Sequence, residues 1–168
     1  MSLATSAAYR MRQLFSSLGA GLRPQERQIV DAHLGQEQQR LFYAMTARDQ
    51  RHCLDVFYAL EKGGCQDEDV LLAALLHDVG KGPIRLWHRV AYVLLRAIWP
   101  RLLARLARPE GRGWRRAIAS LEDHAARGAA LAEAAGTPAT VVELIRHHES
   151  ADASDGRLAL LREVDNSS

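Results

Sequence analysis

Apolar and polar residues along this chain alternate with a helical period, and nothing in it reads as a strand. Pro24 sits where a first turn tolerates proline, so PQERQIVDAHLG is expected to enter a helix there. QEQQRLFYAM is expected to form a second helix and ARDQRHCLDVFYALEKGG a third. In the third, Cys53, Val56, Phe57 and Leu60 recur at helical spacing before Gly63–Gly64 ends the run. DEDVLLAALLHDVG can start at Gln66 or Asp67. Val70, Leu71, Ala74, Leu75 and Leu76 make it a largely buried helix closing at Gly80. In the basic, aromatic stretch that follows, Pro100 should kink or end a helix, and Pro109, Gly111 and Gly113 should form a turn. Helices around SLEDHAARGAALAEAAG, PATVVELIRHHES and LALLREVD complete the chain, the first two separated by Gly136–Thr137–Pro138.

A chain of 168 residues, 48% of them hydrophobic, suits one all-α domain over residues 1–168 with one substantial core. Two cysteines, Cys53 and Cys65, give neither a disulfide framework nor a thiolate zinc site and fit a reducing compartment. The first residues lack the apolar core of a signal peptide, and Arg96 interrupts the most lipophilic stretch, Val90–Trp99. A cytoplasmic location without a transmembrane segment is therefore expected. The net charge of +2 conceals a surplus: Lys81 to Arg127 holds eleven basic residues against Glu110, Glu122 and Asp123. Such a field attracts anionic substrates, lipid or nucleic acid without choosing among them, although no recognised nucleic-acid module accompanies it.

The histidines carry the chemistry. His77 and Asp78 are adjacent at the carboxyl end of the buried helix. They point about 100° apart, so they can grip one ion from two sides, or Asp78 can bridge two. His147 and His148 repeat the adjacency on another helix, His52 and His124 lie on two more, and Asp165 ends an apolar run. Taken singly, each histidine reads more readily as a packing or capping residue. The aspartate inside LLAALLHDVGK changes that reading, because a buried carboxylate is costly unless a cation or hydrogen bonds compensate it. Imidazole and carboxylate donors suit iron, manganese, zinc, cobalt or nickel, with magnesium also acceptable. Lys81, about one turn beyond Asp78 if the helix continues, is a candidate to bind a phosphate oxygen or stabilise a transition state. It also fits a solvated lysine at a helix end. Arg85 and His88 are further candidates, Asp49 and Arg51 fit supporting, substrate-binding or plain surface roles, and His33 reads as surface.

The ordered set H…HD…H…HH…D resembles the HD-domain superfamily of metal-dependent phosphohydrolases, and LLAALLHDVGK is similar to that family's central motif almost letter for letter. The likeness runs from about Arg51 to Asp165. It implies an all-α helical bundle in which His52, His77, Asp78 and Asp165 hold one metal. In the two-metal branch it further implies that His124, His147 and His148 hold a second, with Asp78 shared. The GYP signature of the branch that cleaves cyclic di-GMP is absent. Between His77 and His124 lie 46 residues, longer than in compact members, which marks an inserted basic, apolar helical segment at about 83–116. The implied function is hydrolysis of a phosphate ester, a nucleotide or another phosphomonoester or phosphodiester, by metal-activated water. A ligand-sensing module without rapid turnover and a di-iron oxygenase are the alternatives. The expected partner is an anionic phosphorylated small molecule. The insertion is expected to form a hairpin over the site, a homodimer surface, or a helix pair on anionic lipid.

Overall fold

The computed structural model describes residues 21–82, 86–106, 119, 121, 123–150 and 155–168, with backbone alone at 86–90, 100 and 104. The amino terminus before residue 21, the turn expected at Pro109–Gly113 and the side chains of Arg85, Trp87, His88, Arg89 and Arg116 lie outside the described residues.

Every regular element among the described residues is a helix. They are α1 (Pro24–His33), α2 (Gln36–Ala44), α3 (Ala47–Lys62), α4 (Glu68–Leu76), α5 (Leu86–Ile98), α6 (Pro100–Leu106), α7 (His124–Ala134), α8 (Ala139–His147) and α9 (Gly156–Ser167). The fold is all-α. Two compact units share the chain: Gly19–Gly82 with His124–Ser168, and Met1–Leu18 with Pro83–Asp123.

In the first of these, α4 is the central rod. Its N-cap Asp67 accepts hydrogen bonds from the Asp69 and Val70 amides, satisfying donors that a helix start leaves open. Val70, Leu71, Ala73, Ala74, Leu75 and Leu76 are all buried, so the helix is covered on nearly every side. The α2, α3, α8 and α9 helices pack around it. Phe42, Leu54, Phe57, Leu60, Ile145 and Leu161 are among the side chains that close the core. Each such burial contributes roughly 1.5–3 kcal/mol.

Polar ties then fix the periphery. Arg51 Nη1 donates to Glu26 Oε1 at 2.6 Å, joining α3 to α1, and Arg51 Nε donates to Asp55 at 3.0 Å. Gln38 Nε2 donates to Thr137 Oγ1 at 3.1 Å, joining α2 to the turn before α8.

The helix expected to close at Gly80 stops at Leu76, and a tight turn carries His77 to Gly80, with the Val79 amide bonded to Leu76 O and the Lys81 amide to Asp78 O. Gly80 is there for a different reason than helix termination. A Cβ on it would lie 1.9 Å from His124 O and 2.5 Å from the Gly128 amide nitrogen, both backbone atoms of α7. The turn therefore touches α7 directly.

In the second unit, Pro100 ends one helix and opens the next. The α5 helix stops at Ile98, and the Leu102 and Leu103 amides bond to Trp99 O. Proline is well suited to a first helical position because it lacks a donor that would be unpaired there anyway. Tyr92, Leu103 and Leu121 form a small core, with Val93 and Leu95 against it.

Candidate metal centre

Four helices of the larger unit and the turn after α4 bring their polar side chains to one place. His52 comes from α3, beside the core-facing Cys53. Asp165 follows Leu158 and Leu161 by seven and four residues on α9, and so shares their inward face. His77 caps α4 and Asp78 follows it. His124 begins α7, and His148 caps α8.

The donor atoms are close. His52 Nε2 is 2.8 Å from Asp165 Oδ1 and 4.0 Å from Asp78 Oδ2. His77 Nε2 is 3.4 Å from Asp165 Oδ1 and 3.5 Å from Asp78 Oδ1. His124 Nε2 is 3.8 Å from Asp78 Oδ1 and 3.2 Å from His148 Nε2. Two groups able to hold a metal ion result, His52–His77–Asp78 and Asp78–His124–His148, and Asp78 belongs to both. For comparison, donors bonded at about 2.0–2.1 Å to one ion at 90–110° sit roughly 2.8–3.4 Å apart.

Ring orientation points the same way. His77 Nδ1 lies 2.9 Å from Ala74 O and His148 Nδ1 lies 2.7 Å from Ile145 O. A carbonyl only accepts, so each Nδ1 carries a hydrogen, and in the neutral ring the lone pair is on Nε2, facing the cluster. His77 Nε2 and Asp78 Oδ1 are buried and make no hydrogen bond. Buried polar atoms are rarely left so, and a cation between them accounts for both.

Charge completes the test of fit. Lys81 Nζ donates to Asp78 Oδ2 at 2.5 Å across the tight turn, a closeness that the sequence offered only if the helix continued. Asp78 thus has an ammonium beside it, and the cluster holds a second carboxylate, Asp165, against His52 and His77. Burial raises the Asp78 pKa, but Lys81, His77, His52 and His124 outweigh it and hold the group well below the carboxylate range. Asp165 is likewise held down against burial, by its contacts with His52 and His77. Burial lowers the His77 pKa, yet Asp78, Cys53 and Asp165 hold it well above its ordinary value. Burial, with His77 and His124 adding to it, pushes His148 down to about 4, leaving it neutral and able to ligate. Without a cation, a proton on His77 supplies the positive charge that the carboxylates demand. A metal ion can supply it in the proton's place.

Of the residues singled out in the sequence, His52, His77, Asp78, Lys81, His124, His148 and Asp165 come together. His147 does not. Its side chain is half exposed, with Nε2 3.3 Å from Glu143 Oε2 and Nδ1 3.5 Å from Ser150 Oγ. Adjacent helical residues diverge by about 100°, and the inward one here is His148. Asp49 accepts a hydrogen bond from the Thr46 hydroxyl at 2.6 Å in the first turn of α3, and Arg51 ties α3 to α1. His33 is exposed, its ring 4.9 Å from that of Phe57. The carbonyls of Ala74 and Ile145 were not foreseen. Their signal is positional, since each lies three residues before a histidine that caps a helix.

A family model for the HD domain matches residues 50–165. The chain belongs to the HD-domain family. HD-domain proteins are generally metal-dependent hydrolases, and the matched span contains every residue of the cluster. No curated protein and no solved structure matches this HD-domain chain.

Proposed function

We propose that the protein is a metal-dependent phosphohydrolase acting on a nucleotide or another phosphomonoester or phosphodiester. The observation that carries this reading is the pair of buried atoms without a hydrogen bond, His77 Nε2 and Asp78 Oδ1, where two ligand groups share Asp78. His52, His77, Asp78 and Asp165 would hold one divalent metal, and Asp78, His124 and His148 a second. Bound there, such ions supply Lewis acidity, neutralising phosphate oxygens and making water a usable nucleophile at neutral pH.

The chain's own groups do the rest. Ala74 and Ile145 fix two imidazoles through their carbonyls, so the donor atoms are oriented before any ligand arrives. Asp165 stays ionised and holds His52 in place. Lys81 is partly exposed and borders Asp78, where its ammonium can donate a hydrogen bond to a phosphate oxygen and serve as its counter-charge. The buried apolar wall of α4 keeps bulk water from behind His77.

The test is a panel of mono-, di- and cyclic nucleotides and simple phosphate esters, assayed with iron, manganese, zinc, cobalt, nickel or magnesium. Metal-dependent release of phosphate or of a monoester, abolished by Asp78→Asn, is the expected result. Turnover that requires both iron and oxygen, or tight ligand binding without turnover across the panel, would overturn it.

A further inference from the structure

Four of the six large apolar side chains exposed among the described residues lie within nine positions: Leu94 (43% exposed), Ile98 (58%), Trp99 (61%) and Leu102 (41%). Together with Arg101 and Arg105, the last three of these line an open groove of about 550 Å³ at the junction of α5 and α6. Leaving this much apolar surface in water is unfavourable, and a patch of this kind marks a contact surface.

We infer that the α5–α6 junction docks on an anionic lipid bilayer. Charge decides the occupant. Between Asp78 and Glu110 the chain carries one lysine and six arginines and no acidic residue. A second copy meeting this face symmetrically would set arginine against arginine with no acid from the segment to offset them. An anionic headgroup layer supplies the missing charge, and the acyl region beneath receives the side chains between the arginines.

The residue types fit that layering. Tryptophan suits the boundary between apolar and polar phases, and arginine can lay its stem on apolar surface while its head stays in the charged layer. The orientation follows from length. The 13 residues of α5 span about 20 Å, less than the roughly 30 Å hydrocarbon core, and no described helix is long and apolar enough to cross a membrane. The helices therefore lie in the interface plane, as amphipathic peripheral anchors do. None of the residues of this surface belongs to the metal cluster, and its test does not use catalysis.

Co-sedimentation of the full chain with phosphatidylcholine vesicles, with and without phosphatidylserine, tests the inference. The protein should sediment with the phosphatidylserine vesicles, remain in solution with phosphatidylcholine alone, and be released by salt. Neutralising two surface charges in Arg101→Gln/Arg105→Gln should weaken partitioning roughly 30-fold. Ile98→Ser/Trp99→Ser should weaken it as well, and thermal melts of both variants should match the parent because the altered side chains are exposed. Failure to bind phosphatidylserine vesicles, or undiminished binding by both variants, overturns the inference. So does a dimer that forms without vesicles and is lost in Ile98→Ser/Trp99→Ser, which would assign the face to a second copy.

Discussion

Replacing Gly80 by alanine should damage this protein more than its size suggests. The added methyl would sit 1.9 Å from His124 O and 2.5 Å from the Gly128 nitrogen, whereas ordinary contact begins near 3.4 Å. Both obstacles are backbone, so no side chain can swing aside. The turn and α7 must separate by about 1.5 Å, and strain of this kind costs typically 1–3 kcal/mol; about 3 kcal/mol is expected with the obstacle so rigid. Gly136→Ala is the matched control. Gly136 has φ +74° with nothing within 4 Å of the added carbon, so its cost is conformational. That cost is about 1–2 kcal/mol, partly offset by the lower entropy of the unfolded alanine chain. Urea denaturation of both variants without metal, read at constant m, should therefore place Gly80→Ala about 2 kcal/mol below Gly136→Ala. The same displacement moves His124 away from Asp78, so Gly80→Ala should also weaken metal binding, while Gly136→Ala should leave it intact. A Gly80→Ala protein as stable as the parent, with unchanged metal affinity, would refute the reasoning.

Asp78→Ala should lose the most metal and the most activity of any single substitution, since one carboxylate belongs to both ligand groups; elemental analysis and single-substrate kinetics would check it. Lys81→Met should keep its metal content but raise KM for a phosphate ester, and unchanged kinetics would assign Lys81 only to Asp78. Arg51→Ala should cost about 2 kcal/mol by stripping a charged hydrogen bond from the buried Glu26, with no change in metal content. Metal at 100 times its Kd should stabilise the chain by about 2.7 kcal/mol and raise its melting temperature by roughly 5–10 °C, an effect removed by a chelator.

The helices were legible because their apolar stripes are regular. The α4 core, the Asp67 cap and the break at Pro100 all follow from residue type and spacing. Most of the cluster was legible too, through the order of histidines and aspartates. His147 shows the limit of reading motif letters alone. The buried stripe of α8 runs through Val141, Ile145 and His148, at helical spacing, while His147 lies four residues after the exposed Glu143. The helical period thus separates two neighbours that the motif treats alike. Gly80 shows a different limit. Its local sequence signals only a helix end, whereas its partner, α7, is more than forty residues away along the chain. The closeness of Lys81 to Asp78 follows from their i,i+3 spacing, although a tight turn and not a continued helix supplies it.

Anomalous X-ray diffraction from crystals grown with manganese or iron would test the central claim most directly. Peaks among His52, His77, Asp78 and Asp165, and among Asp78, His124 and His148, are expected, with Asp78 touching both. Loaded protein with no peak at Asp78, or with metal bound only elsewhere, would contradict the account.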